Sequence, residues 1–430
     1  MQQPEVLVVG AGFAGFECAR RLARSGVNVT VVDPEDYFLY TPLLPDVAGG
    51  LVEARHAAVP LAESLPAVKV IRGMVTAVDL DRRTATVAVS GRQEAPITKT
   101  WDRLVLTVGS VTRLFDIPGL RRHALGLKTL AEALYLRDHL LGQLEMSVAV
   151  ADDRQACSAC RTVVVVGASY AGTELVAQLR GLADQAARHH RFDPAQVRFL
   201  LLDVADAVMP EVGAELGGRA LDVLRGRGVD VRLGTTLESV DEHSVRVSDG
   251  SVVDTNTVAW VTGVTASPLA EALGVPLVKG RLAVDDLLRV DGRDEVFAGG
   301  DGAAVPDLTR PGEITPPTAQ HALRQGRTLA ANVAASLGHG RPRRYRHRNL
   351  GLVVDLGPGF AVANPLGLEL SGMAAKAVTR AYHLAAVPKR SNRFGIALDY
   401  LSGLMAPRPL VSMGLVDPGR ARFDQAEHLG

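Results

Sequence analysis

The chain has 430 residues, 47% hydrophobic and 22% charged, with 47 basic residues balancing 47 acidic ones. That length calls for two or three domains, the composition excludes disorder, and a neutral chain has no global field to attract nucleic acid. Three cysteines are too few for a disulfide scaffold, so the folded core must come from packing.

The chain opens MQQPEVLVVGAG, with no basic segment leading into an apolar one, so no signal peptide is expected. No run of about 18 uncharged apolar residues predicts a spanning helix. The cytosol is the expected compartment, with a membrane surface left open. No metal site is expected.

Residues 6–9 read VLVV, a run suited to a parallel strand buried on both faces. Gly10, Gly12 and Gly15 follow in GAGFAG, and Phe16, Cys18, Ala19, Leu22 and Ala23 carry on at helical spacing. Gly10 permits the tight turn, Gly12 lets a pyrophosphate approach the backbone, and Gly15 lets the helix pack close to the strand. The helix N-terminus then offers free N–H groups to the phosphates. A second strand, VNVTVV, ends at Asp33, where an acid can accept hydrogen bonds from ribose hydroxyls.

The pair Cys157 and Cys160 comes next of note, read as surface thiols in a polar loop around Ala151–Gln155. Two rival dithiol chemistries are unfavoured here. Nearby acids disfavour a thiolate, and no cysteine lies beyond Cys160 to serve as a distant partner.

The turn then repeats. Val163 to Val166 form a strand, and Gly167, Ser169 and Gly172 occupy the three fingerprint places. Ser169 would either crowd a pyrophosphate or bond one of its oxygens, and both readings stand. The strand VRFLLL ends at Asp203, an acid that favours a free 2′-hydroxyl and so NADH over NADPH. Residues 228–263 read as short strands with turns at Gly234 and Asp249-Gly250. Two dinucleotide folds in one chain would hold a flavin against a nicotinamide, with the chemistry carried by the cofactors.

Further motifs make a family recognisable. WDRLVLTVG (101–109), VAWVTG (258–263) and VFAGGD (296–301) resemble the strand-to-linker and late flavin motifs of two-dinucleotide flavoproteins. Within that class, YTPLLPDVAGGLVEARH (40–56), PPTAQHALRQG (316–326), LGLELSGMAAKAVTRAYHL (366–384) and NRFGIALDY (392–400) are similar to the type II NADH dehydrogenases. These are non-pumping NADH:quinone oxidoreductases among the pyridine nucleotide-disulfide-type enzymes, and the resemblance covers nearly the whole length. It implies an α/β fold with two Rossmann-like domains and a C-terminal tail with amphipathic helices. An FAD domain (1–115 and 280–335) would be split by an NAD(H) domain (120–275), with a membrane-association or dimerisation region at 340–430.

The resemblance also implies site residues. FAD would be held by Gly10, Gly12, Phe13, Ala14, Gly15, Asp33, Thr41, Val75, Thr107, Gly109, Asp301 and Ala319. NADH would meet Gly167, Ser169, Gly172, Asp203 and Gly263, with Glu174 beside the nicotinamide. Gln320 and Arg324 would face a quinone or another small electron acceptor. The family segment often carries a second glutamine where this chain has Arg324, which cannot accept a hydrogen bond. Arg324 would donate to a quinone, favour an anionic acceptor, or turn outward. A non-quinone acceptor, or an NADH-binding redox sensor without turnover, are the alternatives that follow.

The tail is read two ways. Arg341 to Arg348 form a dense basic patch, either a solvated loop or an attraction to an anionic leaflet. Leu366 to Val387 is too charged to span a bilayer and would lie in its interface, or serve as a buried helix or homodimer contact. Membrane contact would then run through 341–410. His383 is expected to be a partnered structural histidine.

Overall fold

The computed structural model describes residues 3–91, 95–348, 350–421 and 423; the last part of the expected C-terminal region, 424–430, lies outside the described residues. Strand β1 (Glu5–Val9) runs through the first glycine turn into helix α1 (Phe13–Leu22) and on to β2 (Asn28–Asp33). A short helix α2 (Leu44–Ala48) follows, then β3 (Lys69–Asp79), β4 (Thr84–Val89), β5 (Ile97–Thr100) and β6 (Arg103–Leu106). β1 lies between β2 and β6, parallel to both, with Val9 opposite Val32 on one side and Leu106 on the other. Such central strands are covered on both faces, which is why they read as unbroken apolar runs. β3 instead turns outward into an antiparallel ribbon with β4 and β5.

The second unit repeats the plan. Helix α3 (Leu130–Ala149) starts at a capping box in which Thr129 and Glu132 exchange hydrogen bonds. Helix α4 (Arg154–Cys160) leads into β7 (Thr162–Val166), helix α5 (Tyr170–His189), β8 (Arg198–Asp203), β9 (Val229–Leu233) and β10 (Thr257–Trp260). All four strands are parallel in the order β9-β8-β7-β10. That is the order β3-β2-β1-β6 of the first sheet, with the turn-bearing strand again in the middle. Val166 lies opposite Leu202 and Trp260, as Val9 lies opposite Val32 and Leu106.

The chain then returns to the first sheet through β11 (Arg289–Val290) and β12 (Arg293–Ala298), completing the order β11-β12-β6-β1-β2-β3-β4-β5. Helix α6 (Ala319–Ser336) crosses α1 so closely that a Cβ on Gly326 would sit 2.4 Å from the Ala14 carbonyl oxygen. Only glycine allows that approach. A small antiparallel sheet, β13 (Val353–Asp355), β14 (Ala361–Ala363) and β15 (Leu370–Ser371), carries the tail, followed by α7 (Gly372–Ala386) and α8 (Arg390–Met405). The α/β class with two Rossmann-like units is borne out.

One expectation is corrected. Cys157 and Cys160 lie on helix α4, not in a polar loop, and Cys160 is fully buried rather than a surface thiol. The polar residues before them are the helix start: Asp153 accepts from the N–H groups of Gln155 and Ala156, both at 3.0 Å.

Candidate active site

A cleft of about 250 Å³ opens at the carboxyl end of the first sheet, where β1 and β6 part. Its walls include Gly12, Phe13, Ala14, Asp33, Thr41, Thr107, Gly109, Asp301 and Ala319. Gly10 and Gly15 shape the turn from behind. A Cβ at Gly10, whose φ is +92°, would meet the Thr107 carbonyl oxygen at 2.3 Å, and one at Gly15 would meet the Gly10 oxygen at 1.9 Å. Gly12 differs: nothing lies within 4 Å of where its Cβ would be. It is the N-cap of α1, and no side chain caps the helix. That combination, free N–H groups beside open space, fits a dinucleotide pyrophosphate. Val75 stands apart from the cleft, buried and paired with Val87 in the ribbon of β3 and β4.

Asp33 closes the turn. Its Oδ2 accepts the Ala11 N–H at 2.6 Å and its Oδ1 accepts the Glu35 N–H at 2.9 Å. Burial pushes its carboxyl up to about 6, against the pull of those backbone bonds. The second turn has the same closure: Asp203 accepts the Ala168 N–H with Oδ2 and the Ala205 N–H at 2.8 Å with Oδ1. Gly167 has φ +109°, and a Cβ on Gly172 would meet the Gly167 oxygen at 1.8 Å. Ser169 is the N-cap of α5 without a side-chain cap, so its hydroxyl is not used by the helix. Gly263, with φ +64°, follows β10 at the same end of the sheet.

Sequence reasoning named Asp301 but missed its partners Lys128 and Ser110. Lys128 Nζ donates to Ser110 Oγ at 2.9 Å and lies 3.8 Å from Asp301 Oδ2, while Ser110 Oγ donates to that oxygen at 2.8 Å. All three residues line the cleft. Glu132 holds the segment, accepting the N–H groups of Lys128 and Thr129 with Oε2. Gln325 was missed as well. Its Oε1 accepts the Gly300 N–H at 2.7 Å and its Nε2 donates to Thr315 at 3.0 Å, fixing the backbone next to Asp301. Neither group has a spacing signal, since its members come from distant parts of the chain.

Gln320 and Arg324 lie one turn apart on α6, and their side chains reach residue 351 and residues 347 and 348 in turn. Gln320 Nε2 donates to the Gly351 carbonyl at 3.1 Å. Arg324 Nη1 lies 3.3 Å from His347 Nδ1 and donates to the Arg348 carbonyl. His347 stacks on His321 with ring centroids 3.9 Å apart, and His321 Nδ1 meets the Tyr345 hydroxyl at 2.8 Å. Burial pushes His321 down to about 4, so it is neutral at pH 7. Glu174 lies two residues past Gly172, near the start of the helix that the second turn opens. It is buried in α5, where Oε1 accepts the Asp355 N–H at 2.8 Å, and burial holds its carboxyl well above the usual range. His383 is partnered with the Tyr40 hydroxyl at 3.2 Å.

Two Rossmann-like units, each with an acid-closed glycine turn, define a two-dinucleotide oxidoreductase. The description of the pyridine nucleotide-disulphide oxidoreductases matches residues 4–326, and the chain belongs to that family. It is 31% identical to the type II NADH:quinone oxidoreductase Ndh of Mycobacterium tuberculosis, over 88% of this chain and 83% of that one. It is 30% identical to the demethylphylloquinone reductase NdbB of Synechocystis, over 93% and 96%. The solved structure of NDH2 from Plasmodium falciparum in complex with NADH has the same fold, with a TM-score of 0.89 at 17% identity, covering 95% of this chain and 100% of that one. The resemblance to type II NADH dehydrogenases is thus borne out.

Proposed function

We propose that the chain is an FAD-dependent NADH dehydrogenase of the type II kind, taking hydride from NADH and passing electrons to a quinone without pumping protons. The observation that carries this reading is the repeated, acid-closed glycine turn on two sheets of one strand order. Relatives named as NADH:quinone or quinone reductases along most of the chain support both donor and acceptor. We read 1–115 with 280–335 as the flavin domain, 120–275 as the NAD(H) domain and 340–430 as the attachment region.

When bound, the flavin supplies the two-electron chemistry. The chain's own residues bind and orient. Gly12 leaves room for the pyrophosphate at the α1 N-terminus, and Asp33 faces the ribose. Ser110, Lys128 and Asp301 form a polar wall for the ribityl side, and the start of α6 at Ala319 closes the cleft. Asp203 accepts from the ribose of NADH and repels a 2′-phosphate. The Ser169 hydroxyl is left for a phosphate oxygen. Glu174 serves the nicotinamide side and Gln320 the acceptor side, while Arg324 anchors residues 347 and 348 beside it.

Among the described residues no helix is long and apolar enough to cross a membrane. Exposed Phe394, Leu401, Leu404, Met405, Val411 and Leu415 on α8 and the tail, with the basic stretch at 341–348, support attachment to an anionic membrane surface on the cytoplasmic side. Sedimentation with anionic but not neutral vesicles tests this; a dimer without vesicle binding would assign the apolar face to a second copy instead. The activity is tested by steady-state oxidation of NADH and NADPH with a soluble quinone. NADH-dependent turnover well above that with NADPH is expected, and no turnover with either nucleotide would overturn the reading.

A further inference from the structure

Three segments that line the first cleft meet at Gly300: the first glycine turn, helix α6 and the loop after β12. No side chain fits at that point. Gly300 has φ +77°, and a Cβ on it would lie 3.3 Å from the Ala14 Cβ and 3.8 Å from the Ala322 Cβ. One residue earlier, a Cβ on Gly299 would lie 2.8 Å from Leu329 Cδ1. Ala14, Ala322, Gly300 and Asp301 all line the cleft. How the loop sits against α6 therefore shapes the cleft and decides where Asp301 stands.

One buried amide ties loop and helix together. Gln325 is 1% exposed on α6 and lies behind the residues that line the cleft. Its Oε1 accepts the Gly300 N–H at 2.7 Å, and its Nε2 donates to Thr315 Oγ1 at 3.0 Å. The two partners fix the amide, since only its oxygen can accept the N–H and only its nitrogen can donate to the hydroxyl oxygen. Thr315 is held in turn. It is fully buried, its N–H donates to the Val305 carbonyl at 2.8 Å, and its carbonyl accepts Arg281 Nη1 at 2.9 Å.

The order passes on to the cleft. Asp301 follows Gly300, and its Oδ2 accepts the Ser110 hydroxyl at 2.8 Å with Lys128 Nζ 3.8 Å away. An unbroken line of contacts thus runs from Arg281 through Thr315, Gln325 and Gly300 to Asp301, Ser110 and Lys128. Packing alone does not ask for this arrangement. An apolar side chain close in size to Gln325 would fill the same space, but it would leave the Gly300 N–H buried without an acceptor. The loop would then turn that peptide toward another partner, and Asp301 would move with it.

On the reading under Proposed function, the cleft takes FAD and Asp301 belongs to its polar wall. We propose that Gln325 is a positioning residue for the flavin. By holding the Gly300 N–H it sets the backbone from which Asp301 meets the cofactor. It also fixes that loop to the helix that carries Ala319 and Ala322 at the cleft and Gln320 on the acceptor side. Gln325 touches no cofactor itself and acts through Gly300.

Gln325→Leu, Gln325→Glu and Thr315→Val test this in the purified full-length flavoprotein. Q325L removes both bonds at nearly constant size. Q325E keeps an oxygen for the Gly300 N–H whether or not its carboxyl is protonated. T315V removes only the outer bond. The readouts are the rate of FAD release on dilution and the visible circular dichroism of the bound flavin, which reports its surroundings. Q325L should release FAD about tenfold faster and change the flavin band. Q325E should recover most of both, and T315V should show a smaller change in the same direction, about threefold.

A lower melting temperature in Q325L, with FAD release and the flavin band unchanged, would make Gln325 a packing residue and overturn the proposal. If Q325L does not fold, T315V decides: release and band identical to the wild type would overturn it. A wild type that takes up no FAD would overturn the functional reading and this proposal together. A wild type that binds FAD beside a Q325L of equal affinity would overturn the proposal alone.

Discussion

Asp33 accepts the backbone N–H of Ala11 at 2.6 Å, so the acid that ends one strand clamps the turn that ends its neighbour. Asp203 makes the same bond to Ala168 in the second unit. On the proposed reading each acid has two tasks: its oxygens hold the turn, and its outer face would meet the ribose. Removing either should be felt first in binding of its own dinucleotide. Asp33→Ala should weaken FAD retention by about 10- to 100-fold, the loss of a charge-assisted hydrogen bond. Asp203→Ala should leave FAD in place and raise the KM for NADH about tenfold. Flavin content after ultrafiltration and steady-state kinetics check the two outcomes, and a crossed result would contradict the pairing of turns with cofactors.

The glycines of the first turn separate fold from binding. Gly15→Ala sets a methyl 1.9 Å from a backbone oxygen and should cost roughly 3 kcal/mol of stability. Gly12→Ala meets nothing within 4 Å and should leave the stability of the flavin-free chain within about 0.5 kcal/mol while weakening FAD binding. Thermal melts of both flavin-free variants, set beside their flavin affinity, check the contrast.

Arg324 stands where the family often has glutamine, and its guanidinium is committed to His347 and the Arg348 carbonyl. Arg324→Gln should lower stability by about 1–2 kcal/mol through loss of those anchors. Its kcat with a soluble quinone should stay within about threefold of the wild type, because the guanidinium is turned to its own chain. A large fall in kcat at unchanged stability would make Arg324 a direct acceptor contact.

His383 sets part of the acid limit. Burial pushes its imidazole down to about 4, with the Tyr40 hydroxyl and Tyr382 against it. Its folded-state value lies below the unfolded one, so the unfolded chain binds more protons between them. The stability it contributes is full above about 6.5 and is lost as pH falls toward 4, by at most about 3 kcal/mol. Asp33 works in the opposite sense, since its raised carboxyl costs stability as pH rises from about 4 to 6. In His383→Asn the rise of melting temperature from pH 4 to 6.5 should flatten, and an unchanged slope would contradict this assignment.

What could be read in advance follows from how local each signal is. The two turns show in the sequence because their spaced glycines (three in the first, two flanking Ser169 in the second), a preceding β-branched strand and a following acid lie within a few dozen residues. The four-residue spacing of Gln320 and Arg324 is equally local. The polar wall of the cleft is not: the Ser110–Asp301 bond joins residues 191 positions apart, and Lys128 meets Asp301 only because two units fold over one cleft. Helix α4 was misread because its polar residues serve as a cap, and burial of Cys160 comes from tertiary packing that no spacing reports.

The central claim is that one chain carries electrons from NADH to a quinone. The direct measurement is anaerobic reduction of the yellow, purified flavoprotein by NADH and, separately, NADPH, followed by a soluble menaquinone or ubiquinone analogue. Rapid bleaching by NADH, slow bleaching by NADPH, and prompt return of colour on quinone addition are predicted. Bleaching with no return of colour would contradict the acceptor assignment, and no bleaching by either nucleotide would contradict the account at its base.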